Sequence, residues 1–177
     1  MDAYREHIAD VHRRLGIPAD YAERTGLSLQ REPDELVAVS PGRSDRRQWL
    51  APAAAARWAR LEAAAETAGI VLRVVSSYRS VDYQAGLIER KLERGEAIDD
   101  ILRVNAAPGY SEHHSGRAVD LGVAGCAPLT EAFEGTAAFA WLQAHAGDFG
   151  FVLSYPRDNA HGIVYEPWHW AVPAVDA

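Results

Sequence analysis

The chain has almost no sulfur: one cysteine, Cys126, and one methionine in 177 residues. A single cysteine cannot form an intrachain disulfide or build a structural cysteine zinc site. Cys126 is therefore expected to be a small apolar residue, not a nucleophile. Excess basic charge is also missing: 18 Lys and Arg stand against 25 Asp and Glu, for a net charge of -7. Nucleic-acid partners need a basic stripe to neutralise phosphates. The densest basic cluster, Arg43, Arg46 and Arg47, is interrupted by Asp45 and reads as a solvated loop. Long apolar runs are lacking too. None approaches the roughly 18 residues that span a bilayer, so no membrane span is expected. The first residues, MDAYREHIADVHRRLG, have no basic region followed by an apolar one and do not read as a secretory signal. As it stands the sequence points to the cytoplasm, or to the periplasm or exterior if a leader has been removed.

What is present is ordinary globular material, 48% apolar and 24% charged, in a length that suits one domain. Tyr4 to Leu15 reads as a helix, with Ile8, Val11 and Leu15 on one face. Residues 16–47 are less regular, with a short strand candidate at Leu36–Val39 broken by Ser40-Pro41-Gly42. Gln48 to Ala68 reads as the clearest helix, with Pro52 in its first turn and Gly69 as its stop. Ile70 to Val75 is a β-branched strand candidate. Helices are expected over 82–93, 97–104 and 136–146, the last capped by Thr136. Strands are expected over 117–123, 149–155 and 163–170, the last two joined by the loop Pro156–Ala160. Helices come first and strands cluster later, without βαβ alternation. That pattern predicts an α+β domain with a small, largely antiparallel sheet and flanking helices.

Two segments concentrate the chemistry: Ser111-Glu112-His113-His114-Ser115-Gly116-Arg117-Ala118-Val119-Asp120 and Glu166-Pro167-Trp168-His169-Trp170. A catalytic zinc takes three protein ligands and leaves one position for water. Without cysteine, histidine and carboxylate are the suitable donors. A turn at Ser115-Gly116 would let His113 meet Asp120, and Ala118 and Asp120 would share one strand face. Glu166 and His169 are three apart and would face opposite sides of a regular strand. Pro167 favours an irregular backbone there, which could bring both to one point. Each residue also has a plainer reading: Asp120 as a turn cap, Glu166 as a surface ion pair, Trp168 and Trp170 as core. Spacing does not separate His113 from His114. His7, His12 and His145 fall in expected helices, and His161 reads as a solvated loop residue.

These residues resemble the VanY-type D-alanyl-D-alanine carboxypeptidases, in the wider group that includes VanX dipeptidases. The family pattern Ser-x-His-x-x-Gly-x-Ala-x-Asp is filled by Ser111, His113, Gly116, Ala118 and Asp120, and a later Glu-x-x-His by Glu166 and His169. Ser76-Ser77-Tyr78-Arg79-Ser80 and Gly150-Phe151-Val152-Leu153-Ser154-Tyr155-Pro156 match further family elements. The resemblance runs from about Val71 to Trp170. It implies one Zn2+ held by His113, Asp120 and His169, which selects His113 over His114. It also implies Glu166 as general base and acid, and Arg79 as the group that stabilises the oxyanion. Ser111, Gln84 and Tyr155 become substrate-binding positions. The implied fold is the small α+β domain shared with hedgehog signalling domains. Residues 1–177 then form one zinc peptidase domain, with a helical N-terminal portion over 1–70 and a catalytic core over 71–170. Departures at Ser77, where Gly is common, at His114, where Gln is frequent, and at Trp170, where Phe or Tyr is usual, bear on substrate choice. The expected partner is a peptidoglycan stem peptide or another D-Ala-D-Ala substrate, acted on by a monomer. Endopeptidase or L,D-carboxypeptidase action, and a non-catalytic zinc-containing binding module, are the alternatives.

Overall fold

The computed structural model describes residues 2–39 and 47–174. The 40–42 breaker and most of the Arg43–Arg47 cluster lie outside them. The elements run α1 (Ala3–Leu15), α2 (Tyr21–Thr25), β1 (Val37–Val39), β2 (Gln48–Leu50), α3 (Pro52–Thr67), β3 (Arg73–Ser76), α4 (Val81–Glu93), α5 (Ile98–Val104), β4 (Ala118–Gly122), α6 (Ala137–His145), β5 (Val152–Leu153) and β6 (His169–Ala171). Short 3-10 turns lie at Glu112–Ser115, Glu131–Gly135 and Ala146–Phe149. The larger sheet has the order β3-β4-β6-β5 and every pairing in it is antiparallel. β1 and β2 form a separate antiparallel pair. This is the expected α+β class. No helix among the described residues is long and apolar enough to cross a membrane.

Side-chain caps explain several boundaries. Asp2 accepts from Tyr4 N–H to start α1, Ser80 from Tyr83 N–H to start α4, and Thr136 from Phe139 N–H to start α6. The expected helix from Gln48 begins instead at Pro52, because Gln48–Leu50 pairs with β1. Ala51 is extended, with φ -60 and ψ 146, as the ring of a following proline demands. The expected strand from Ile70 starts only at Arg73. The two late strands are also shorter than their apolar runs suggest, since Pro156 and Pro167 interrupt pairing and Glu166 N–H bonds to Tyr155 O in a loop. α2 was not foreseen in the segment before Arg47.

One face of the sheet and two helices make the main core. Val119 and Leu121 of β4 pack with Trp58 and Leu61 of α3, Phe139 and Leu142 of α6, and Trp170 of β6. Cys126 packs at the edge of this cluster as a partly buried apolar residue. A second cluster joins α1, α2, α4 and α5 through Val11, Leu15, Tyr21, Ile88 and Ile101. Because strand side chains alternate, burying Val119 and Leu121 against the main core turns Asp120 to the other face.

Gly116 sits between the first chemical segment and β4. Its φ is +65, and a Cβ there would lie 2.8 Å from Ala51 N, whose N–H donates to Gly116 O at 2.9 Å. Both the turn and the close approach therefore need glycine. Gly116→Ala is expected to cost about 1–3 kcal/mol of stability, read by denaturant titration; an unchanged midpoint would mean that the neighbouring backbone yields freely.

The loop leading into this segment is tied to α1 by His12, whose Nε2 bonds to Pro108 O at 2.7 Å. Burial pushes His12 below its ordinary 6.5, partly offset by the Pro108 carbonyl. On acidification the denatured chain therefore takes up this proton first. Stability from His12 is full above about 6.5 and is lost as pH falls from there towards the lower folded value. His12→Gln, which keeps a donor for Pro108, is expected to flatten the loss of Tm below pH 6.5, compared scan by scan with the parent.

Candidate metal centre

The sheet register builds the centre. Asp120 on β4 and His169 on β6 are directly opposed partners, which places their side chains on one face, with Cα atoms roughly 4.5–5.5 Å apart. His113 arrives from the 3-10 turn before Gly116. Glu166 is brought round by the turn at Pro167, closed by His169 N–H donating to Glu166 O at 3.0 Å. His113, Asp120 and His169 form a buried group whose ligand atoms all lie within 4.8 Å of one another.

Hydrogen bonds decide the protonation of each ring. His113 Nδ1 lies 2.7 Å from Ser77 O, which can only accept, so Nδ1 carries the proton and Nε2 has the lone pair. Burial, reinforced by the Arg79 charge, pushes His113 down to about 4 and keeps it neutral. Its Nε2 is buried, 3.2 Å from Asp120 Oδ2, yet not aligned for a hydrogen bond. A lone pair thus faces a carboxylate, an arrangement that a cation between them would resolve.

His169 has carboxylates at both ring nitrogens: Nδ1 is 2.9 Å from Asp120 Oδ1 and Nε2 is 2.8 Å from Glu112 Oε2. Although burial works against the charged ring, these two partners raise His169 to about 10. Burial would raise Asp120, but His113 and His169 outweigh it and hold the carboxyl well below the usual carboxylate range. Glu166 is raised to about 7, chiefly by burial, with His169 opposing. Its Oε2 lies 3.8 Å from His169 Nδ1. Arg79 Nη1 stands 4.0 Å from Asp120 Oδ2. The donor set, two imidazoles and one carboxylate, is of the type that binds zinc in catalytic sites.

The family model described as VanY, D-alanyl-D-alanine carboxypeptidase, matches residues 47–173, well over half of the chain. The chain belongs to this VanY family. Enterococcus gallinarum VanXYC, a bifunctional D-Ala-D-Ala dipeptidase and D-Ala-D-Ala carboxypeptidase, is 35% identical over 150 residues, covering 81% of this chain and 76% of VanXYC. Among solved structures, the LdcB LD-carboxypeptidase superposes with a TM-score of 0.72 at 30% identity, covering 80% of this chain and 69% of LdcB. VanYB in complex with D-alanine-D-alanine gives a TM-score of 0.65 at 25% identity, covering 84% of this chain and 86% of VanYB. The chain spans 58% of the length of two other curated relatives.

Within this VanY domain the remaining sequence candidates divide. The Tyr155 ring is buried and packs on His169 at 4.9 Å between centroids. Ser111 is buried at the start of the 3-10 turn, and its carbonyl accepts from His114 N–H at 3.0 Å. Gln84 is buried on α4, with Nε2 donating to Ala106 O at 2.9 Å and Oε1 without a partner among the described residues. Neither Ser111 nor Gln84 hydrogen-bonds to the three-residue group. His114 stands outside that group and bonds through Nδ1 to Arg79 O at 2.6 Å. His7 pairs with Asp82, and His161 is partly buried on Thr25 O at 2.8 Å, not solvated as its loop position suggested. Trp170 is core, its Nε1 donating to Pro167 O.

Glu112 is the residue that sequence reasoning missed. It offered one signal, an acid next to His113, while its partner His169 lies 57 positions away. By accepting from Nε2–H it would fix the tautomer that leaves His169 Nδ1 free to ligate, as outer carboxylates commonly do in metal sites. Glu112→Ala is expected to weaken divalent-metal binding about 10- to 100-fold, measured by competition with a chelator. Unchanged affinity would show that the ring is oriented by its packing alone.

Proposed function

We propose that the chain is a zinc-dependent D-alanyl-D-alanine carboxypeptidase that removes the terminal D-Ala of peptidoglycan-type peptides, acting as one domain over residues 1–177. His113, Asp120 and His169 hold one zinc ion. The observation that carries this reading is the buried convergence of their donor atoms within 4.8 Å, with a largely buried carboxylate, Glu166, beside them. A zinc ion held there would supply Lewis acidity and lower the pKa of water towards about 7. Glu166 takes the proton of the attacking water and delivers it to the leaving amine, a task suited to a group whose burial places it near neutrality. Arg79 faces the oxygen on which negative charge develops, where a fixed guanidinium acts more strongly than in water. Ser111, Gln84 and Tyr155 contact the substrate.

Two relatives support the substrate class: VanXYC is a D-Ala-D-Ala dipeptidase and carboxypeptidase, and VanYB has been solved in complex with D-alanine-D-alanine. One observation favours a second reading. The likeness to LdcB, with its TM-score of 0.72, supports L,D-carboxypeptidase action on stems from which the last D-Ala has already gone.

Incubation with stem peptides ending in D-Ala-D-Ala and in a single D-Ala, with and without chelator, separates the readings. Chelator-sensitive D-Ala release from the first substrate is expected. Release from the second alone would assign L,D-carboxypeptidase action, and release from neither by a metal-loaded protein would assign a binding module. Glu166→Gln is expected to keep its metal and lose about 10²–10⁴-fold in kcat. Retained turnover would remove Glu166 from the mechanism.

A further inference from the structure

We propose that Glu32, in the N-terminal segment that precedes the family-matched residues, is a positioning residue that locks the loop carrying Arg79. Its one carboxylate bridges both sides of that residue: Oε2 accepts from Tyr78 Oη at 2.6 Å and Oε1 from Val81 N–H at 2.7 Å. The opposite side of the loop is held by the metal segment itself. Arg79 N–H donates to His113 O at 3.3 Å, and Arg79 O accepts from His114 Nδ1 at 2.6 Å. Tyr78 N–H donates to Trp49 O at 3.0 Å.

The segment around Glu32 is anchored where it needs to be. Gln30 N–H donates to Gly109 O at 2.8 Å, Gln30 O accepts from Tyr4 Oη at 2.7 Å, and Gln30 Oε1 accepts from Arg117 Nη2 at 3.2 Å. Residues 30–32 therefore strap together α1, the loop before the metal segment, the residue preceding β4, and the Arg79 loop. The family match begins at residue 47, so this strap lies outside the part that the family model describes.

A physical reason for the lock lies in the position of the guanidinium. Arg79 Nη1 is 4.0 Å from Asp120 Oδ2, beyond the ~2.7–2.9 Å of a charge-assisted hydrogen bond. Its Nε is buried and has no hydrogen-bond partner among the described residues. On a slack loop the guanidinium would sample several positions, and its donors would no longer be held towards a ligand. Held by its backbone at both ends, Arg79 keeps its donors available to a ligand. Burial and the neighbouring Glu32 raise Tyr78 above its ordinary range, so the phenol stays a donor to the carboxylate.

The inference rests on Arg79 acting on the developing charge, and the test separates the two claims. Zinc-loaded full-length protein would be assayed as parent, Glu32→Ala, Glu32→Gln, Tyr78→Phe, Arg79→Ala and the Glu32→Ala/Arg79→Ala double variant. Glu32→Ala is expected to lower kcat about 10- to 100-fold with KM changed less than about twofold. It should add nothing in the Arg79→Ala background, because a positioning residue acts through the group it positions. Glu32→Gln keeps an acceptor for Val81 N–H and should recover most of the rate, while Tyr78→Phe removes one arm and should fall between. Zinc affinity by chelator competition should match the parent. A loss that is additive with Arg79→Ala, or a fall in zinc affinity, would overturn the proposal.

The Nε–Hε nitrogen resonance of Arg79 gives a readout without substrate. It is expected to exchange slowly in the parent and faster in Glu32→Ala, or in Tyr78→Phe should Glu32→Ala not fold. No change in exchange would overturn the lock even if D-Ala is released. A faster exchange without D-Ala release would sink only the assigned reaction.

Discussion

Everything at this site depends on a concentration of negative charge that the protein has buried. Asp120, Glu112 and Glu166 gather around two imidazoles, with Arg79 as the guanidinium close by. Taking carboxylates out of water is costly unless they are paired. His169 meets part of that cost by bonding to two acids at once, and Asp120 stays ionised as a result. The remaining conflict, the His113 lone pair turned towards Asp120, is of the kind that a divalent cation settles. Ligand set and electrostatic strain therefore point to the same occupant.

A metal site of this kind needs backbone precision, and the sheet supplies it. β4 lies between β3 and β6, so the carboxylate on its middle residue is fixed by hydrogen-bonded strands on both sides. The opposed register of Asp120 and His169 sets one pair of candidate ligands, and Ser77 just beyond β3 sets the tautomer of the third candidate, His113. The apolar faces of α3 and α6 hold this frame from behind. Arg79 is not on the sheet. Its loop gains comparable definition from contacts with Trp49, His113, His114 and Glu32, which come from separate stretches of the chain.

The candidate site was legible in the sequence because its residues sit in short, ordered segments. Donor types, the glycine at the turn and the proline before His169 each carry a local physical meaning. Helices were also readable where caps and apolar spacing agree, as in α1, α4 and α6. Local pattern failed where pairing or loop contacts decide. The alanine-rich run that follows Pro52 looked helical from as early as Gln48, but pairing with β1 captured Gln48–Leu50 as strand. The apolar run over 163–170 looked like one strand, but Pro167 and the bond from Glu166 N–H to Tyr155 O left only its end in the sheet.

By itself the sequence determined which residue types were available to bind a metal, the α+β class, and the exclusion of disulfide and cysteine-zinc chemistry. The tertiary structure decided which atoms face one another. It put Glu112 on His169 across 57 positions, left His114 on a backbone carbonyl, and drew Glu32 to the Arg79 loop across 46 positions from Tyr78. Such pairings depend on strand register and on the path of loops through space, and no periodicity or spacing along the chain encodes a distance between segments that meet only after folding.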